Sequence, residues 1–117
     1  MTPTIIEKDG EVLFVTGSPG GATIITSVFQ SILNIIDFGM SAQEAVSAKR
    51  FHSQWLPDVI TVETDALDET TIAILKERGH KFFVQEKIGQ VDAIKKLKDG
   101  RLEGGADPRG DDKAEGY

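Results

Sequence analysis

The chain contains no cysteine, one tryptophan, one tyrosine and two histidines. Without cysteine there is no disulfide framework, no thiol nucleophile and no Cys-type zinc site. Basic residues are in the minority, with 13 Lys and Arg against 19 Asp and Glu, a formal charge of −6. That balance argues against a general binder of nucleic acid or of anionic membranes, which normally present a basic face. Long apolar runs are also lacking. The most hydrophobic stretch is interrupted by Thr26, Ser27, Gln30, Ser31, Asn34 and Asp37, so it is not read as a membrane span. The segment Met1 to Asp9 has neither the basic start nor the apolar core of a secretion signal. What remains is 117 residues, 39% of them hydrophobic. That length suits one soluble domain, and the hydrophobic content argues against full disorder.

The order of local signals predicts mixed helix and strand. Thr4 to Glu7 and Val12 to Thr16 read as two strands joined through Lys8-Asp9-Gly10-Glu11, because Asp-Gly favours a hairpin turn. The near-continuous apolar run of the second strand predicts burial on both faces. The segment 17–21, Gly-Ser-Pro-Gly-Gly, then breaks the strand. Helical spacing follows, with Ile25, Phe29, Ile32 and Ile36 as the main stripe and Ile24, Val28 and Ile35 beside it. Ser18 is expected as the cap, Pro19 as the first helical residue and Gly39 as the stop. Ser41 and Glu44 form a capping-box pattern for a short helix to about Lys49 or Arg50. Residues 50–58 are expected as a loop, with Trp55 as a packing anchor beside Pro57. Val59 to Glu63 is predicted as a strand, and Asp68 as the cap of a helix to Arg78 with Ile72, Ala73 and Leu75 inward. Gly79 should end that helix. Lys81 to Gln85 and Val91 to Leu97 are two further strands, with an Asp99-Gly100 turn after them. Residues 104–117 read as a Gly-rich, charged tail.

Candidate chemistry concentrates at the strand-to-helix turn. Two adjacent glycines, Gly20 and Gly21, leave backbone N–H groups uncovered at the positive end of a helix. Such a turn either holds an anion or a developing oxyanion, or is a tight turn for close helix–strand packing. It matches neither nucleotide-binding glycine pattern. Nor does Gly17-Ser18-Pro19 match the nucleophile elbow, because Pro19 has no N–H to give. His52 and His80 lie in different predicted elements without ligand spacing, so no zinc site is expected. Asp107-Pro108-Arg109 reads as a structural turn in which Asp107 or Arg109 makes buried hydrogen bonds. Asp111 and Asp112 follow it without calcium-loop spacing.

Taken together, several motifs resemble the γ-glutamyltranspeptidases. They are Met1 to Ile6, Val15 to Ile25, Asn34 to Gly39, Ala45 to Pro57 with its Arg50-Phe51-His52-Ser53-Gln54-Trp55-Leu56-Pro57 core, and Ala106 to Arg109 followed by Gly116-Tyr117. They occur in that family's order and cover nearly the whole chain.

The resemblance implies an α+β fold, part of the four-layer αββα sandwich of N-terminal nucleophile hydrolases. It implies a precursor that cleaves itself into two subunits. The new N-terminal Thr of the small subunit attacks γ-glutamyl compounds such as glutathione, and the acyl-enzyme passes to water or an amine. No cofactor is implied. The oxyanion-hole glycines of the family map onto Gly20 and Gly21. The catalytic Thr falls upstream of Met1, as do the groups that hold the substrate's α-carboxylate and α-amine. Thr2 does not align with that Thr.

The expectation is therefore a single partial domain over residues 1–117, the C-terminal part of a small subunit, inactive alone. Its expected partners are the missing remainder of the enzyme or a second copy in a self-associated dimer, with no nucleic acid and no membrane. The alternatives are a small-carboxylate-binding or interaction module, or one half of a split enzyme. The chain as it stands reads as cytoplasmic. Family members are often periplasmic or secreted, and any export signal would precede Met1.

Overall fold

The computed structural model describes residues 3–116. The chain divides into two compact units. One holds the residues up to Ala48 and those from Gly89 onward; the other is Lys49–Ile88. The strands are β1 (Thr4–Lys8), β2 (Glu11–Gly17), β3 (Phe51–Gln54), β4 (Val59–Val62), β5 (Phe82–Val84), β6 (Asp92–Lys96) and β7 (Leu102–Gly105). The helices are α1 (Ile24–Ile36), α2 (Ala42–Ser47) and α3 (Glu69–Glu77).

In the first unit, β1 and β2 form the expected hairpin, with Thr4 opposite Thr16 and Ile6 opposite Phe14. Asp9 and Gly10 both have positive φ, as this kind of tight turn requires. The sheet order is β1-β2-β6-β7, and every neighbouring pair is antiparallel. Helix α2 packs on β6 and β7, while α1 contacts α2 and β2. The core forms where these layers meet. Ala42 and Val46 of α2 cluster with Val91 and Ala93, and Phe14, Ile35 and Ala45 form a second cluster.

Three expectations are corrected in this unit. Strand β2 is not buried on both faces: Phe14 and Thr16 are buried, whereas Val12 is 41% exposed. The β1–β2 register shifts at Ile6/Glu7, and this bulge breaks the two-residue alternation so that Val12 does not share the covered face of Phe14 and Thr16. The stripe expected to bury α1 is also the wrong one. Ile25, Phe29 and Ile36 are 78, 57 and 51% exposed, while Ser27, Val28, Ser31 and Ile35 are buried. The helix carries a polar stripe of Thr26, Ser27, Gln30, Ser31 and Asn34, and the face it buries takes in the serines of that stripe instead of the widest apolar side. The small serines allow close approach, and the Ser31 hydroxyl is satisfied by the Ser27 carbonyl at 3.0 Å. Finally, the tail is not all loop. Its first two residues, Gly104 and Gly105, end β7, which pairs with β6 through the Asp99-Gly100 turn.

Capping behaves as expected at α2. Ser41 accepts from the Glu44 amide, and Glu44 accepts from the Ser41 amide. The helix stops at Ser47, short of Lys49, because Ala48 turns extended and its carbonyl accepts from Arg109 at 2.8 Å.

The second unit is a three-stranded sheet with β4 in the centre, antiparallel to β3 and parallel to β5. Helix α3 lies in the connection from β4 to β5, as a parallel pair requires. Asp68 caps it, accepting from the Thr71 amide at 2.8 Å. Ile72 and Leu75 are half-buried as expected, but Ala73 is exposed. Residues 51–54, expected as loop, are strand β3, because pairing with β4 supplies backbone partners that local sequence does not reveal. Trp55 is not a packing anchor. It occupies the turn between β3 and β4 and is 87% exposed.

Candidate functional site

The glycine turn lies in the first unit, between the end of β2 and the start of α1. Gly17 ends β2 and is buried, and Ser18 is fully buried. Gly20 has φ 125° and ψ 27°, and Gly21 has φ 62°. L side chains rarely adopt either conformation, so glycine is the residue suited to both positions. A short 3-10 turn, Gly21–Thr23, leads into α1. Ser18 is thus not a helix cap and Pro19 is not the first helical residue. The chain instead enters through the glycines, and the Thr23 hydroxyl bonds back to the Gly20 carbonyl at 3.0 Å.

Gly20 and Gly21 are both exposed. Their amides precede the first intrahelical hydrogen bond, where N–H groups have no helical acceptor. The α1 dipole adds positive potential there. The arrangement can stabilise negative charge on a ligand oxygen without any charged side chain.

Behind the turn lies a set of contacts from residues far away in sequence. The Ser18 hydroxyl donates to the Pro19 carbonyl at 2.7 Å and accepts from the Gln90 amide at 3.3 Å. Gly89, at φ 65°, sits so close to α1 that a Cβ there would overlap the Ser27 hydroxyl and lie 3.4 Å from Ser18 Oγ. The Gln90 side chain bonds Asp112. Neither Gly89 nor Gln90 carries a local motif, and their partners at the turn, Ser27 and Ser18, lie 62 to 72 residues away, so sequence reading missed them.

The Asp107–Arg109 turn is as expected. Asp107 is buried and accepts from the Val91 amide at 2.7 Å and from the Arg109 amide at 2.9 Å. Arg109 pairs with it at 3.0 Å and reaches the carbonyls of Val46 and Ala48. Asp92 lies among these acids. Burial raises its pKa first, the nearby Asp112 charge adds to this, and a hydrogen bond at the Asp107 backbone opposes it.

The histidines do not converge. His52 Nε2 is 3.2 Å from Gln54 Oε1, and His80 follows α3, its amide bonded to the Leu75 carbonyl. Among the described residues no group of three or more His, Cys, Asp or Glu could hold a metal ion. None of their helices is long and apolar enough to cross a membrane. Thr2 lies outside the described residues.

The family model for γ-glutamyltranspeptidase matches residues 1–117. The chain belongs to the γ-glutamyltranspeptidase family. It is 46% identical over 118 aligned residues to the glutathione hydrolase proenzyme of Escherichia coli strain K12, covering all of this chain and 20% of that protein. Among solved structures it resembles an acivicin-inhibited γ-glutamyltranspeptidase with a TM-score of 0.88 and 42% identity, over 95% of this chain and 61% of the other. The enzyme from Pseudomonas nitroreducens, complexed with L-DON, matches with a TM-score of 0.87 and 37% identity, over all of this chain and 62% of the other. The chain thus spans about a fifth of the length of the curated family member it matches. Its α+β fold is that of the corresponding region in N-terminal nucleophile hydrolases of this family.

Proposed function

We propose that this chain contributes the oxyanion-stabilising turn of a γ-glutamyl-transfer site. In the family reaction, a Thr nucleophile adds to the γ-glutamyl carbonyl of glutathione or a similar compound, and the carbonyl oxygen takes up negative charge. Donation from the Gly20 and Gly21 amides would lower the energy of that oxyanion more than that of the neutral carbonyl, which is the condition for catalysis. Collapse expels the amine and leaves an acyl-enzyme, which water or an acceptor amine resolves. The nucleophile and the groups holding the glutamyl α-carboxylate and α-amine come from outside residues 1–117. The chain alone is therefore inactive. The observation carrying this reading is the exposed pair of positive-φ glycines at the start of α1 in a chain of this family.

The test is a hybrid proenzyme in which residues 1–117 replace the matching stretch of the Escherichia coli relative, assayed with a chromogenic γ-glutamyl anilide. The hybrid is expected to turn over and the isolated chain is not. Gly20→Ala keeps the N–H but cannot hold φ 125° without strain, so it should misdirect that donor and lower kcat by up to about 10²–10³-fold, the cost of losing an oxyanion donor, with little change in KM. A Gly20→Ala hybrid retaining kcat within about twofold would contradict the assignment.

The surface favours a second, compatible reading: the chain associates with the rest of such an enzyme or, in its absence, with itself. Ile25, Phe29, Ile36 and Phe38 are exposed along and just after α1, and Ile5, Ile94 and Leu102 are exposed on the sheet. Apolar surface of this extent seeks cover. Light scattering of the isolated chain should show a dimer or larger species, and a monomer at high concentration would refute this.

A further inference from the structure

The buried Ser18 is not explained by capping, and its hydrogen bonds point to a different task. The Pro19 carbonyl that it bonds and the Gly20 N–H are two ends of one planar peptide. The only cis bond among the described residues is Leu56–Pro57, so the Pro19–Gly20 peptide is trans and these two groups point in opposite directions. Ser18 is 0% exposed, whereas Gly20 is exposed. A carbonyl turned inward to the Ser18 hydroxyl therefore turns the Gly20 N–H outward. Accepting a hydrogen bond at the carbonyl also polarises the same amide and strengthens its N–H as a donor.

We propose that Ser18 is a positioning residue that sets the Pro19–Gly20 peptide plane and so aims the Gly20 N–H at the oxyanion. Its catalytic meaning rests on the proposed role of Gly20; its geometry does not. The rest of the arrangement is consistent with this task. The Gln90 amide occupies one side of the Ser18 oxygen at 3.3 Å, leaving the hydroxyl proton for Pro19. Gly89, without a Cβ, lets the segment carrying that amide lie against Ser18 and Ser27. Gln90 is in turn held through its side chain by Asp112.

Two measurements on the isotopically labelled 117-residue chain test this. In the unaltered chain, exchanging the Ser18 hydroxyl proton for deuterium should produce an isotope shift on the Pro19 carbonyl carbon. In Ser18→Ala, the Gly20 amide proton should move upfield and its N–H residual dipolar coupling should change, while amides of α2 and β6 stay in place. Ser31→Ala, which removes another buried hydroxyl bonded within α1, should leave Gly20 unaltered. A folded Ser18→Ala chain with an unchanged Gly20 coupling would overturn the proposal. So would the absence of an isotope shift at Pro19, which decides the matter alone if the variant does not fold. An isotope shift at Pro19 together with full activity of the Gly20→Ala hybrid would remove the oxyanion reading and leave the orienting role of Ser18 intact.

Discussion

The two units of this chain solve the same problem with different materials. Each must join two chain ends, because the polypeptide leaves the first unit after Ala48 and re-enters it at Gly89. In the first unit, Asp107 and Arg109 tie the segment at Val46 and Ala48 to the segment at Val91. In the second, Glu63 accepts from the Arg50 amide at 2.9 Å and from the Ile88 amide at 2.8 Å, and Arg50 donates to the Ile88 carbonyl. Both carboxylates are 1% exposed. The surroundings differ. The first unit adds two hydrophobic clusters, whereas Val62 and Ile88 are the buried hydrophobics of the second. A unit of forty residues with so little apolar burial depends on its polar closure more heavily than one with a layered core.

The largest expected effects break that closure. Asp107→Ala leaves the Val91 amide and the Arg109 side chain without their buried acceptor and should cost about 3–5 kcal/mol, read as a loss of global stability in denaturant. Glu63→Ala, which strands two buried amides, should cost about 2–4 kcal/mol and act locally. Hydrogen exchange should accelerate across residues 49–88 while β1, β2 and β6 keep their protection. Equal loss of protection in both units would show that the second has no separate closure.

A smaller effect concerns charge. The pKa of Asp92 is raised in the folded chain, so the folded state holds its proton more tightly than the unfolded chain does. Stability from this group is therefore present at low pH and declines as pH rises from the ordinary Asp range through the raised value. Asp92→Asn should raise the melting temperature at neutral pH, and the gain should vanish on acidification. A gain that persists at low pH would locate the effect elsewhere. The smallest effect is expected at Trp55. Trp55→Ala should change stability by no more than about 0.5 kcal/mol, since an exposed turn residue has little packing to lose.

Much of the fold was legible because its signals are local. The Asp9-Gly10 hairpin, the Ser41–Glu44 capping box, the Asp68 cap and the Asp107–Arg109 turn each depend on residues within a few positions of one another. The misreadings share one cause. Strand β3, the buried face of α1, the exposure of Trp55 and the strand at Leu102–Gly105 are decided by neighbours distant in the chain. At the candidate site, Gly20 and Gly21 stood out as adjacent glycines after a strand. The support behind them, Gly89 and Gln90, did not, because a glycine and a glutamine in a loop carry no spacing signal.

The sequence by itself determined where the chain turns and caps, that it carries an excess of acid and no thiol, and which family it resembles. These properties follow from φ preferences, short-range hydrogen bonding and composition. Only the tertiary structure decided which face of α1 is buried, which extended segments pair, and what holds the glycine turn from behind. Those outcomes depend on close approach between surfaces such as Gly89 and Ser27, and contacts of that kind are set by the packed chain rather than by any local run of residues.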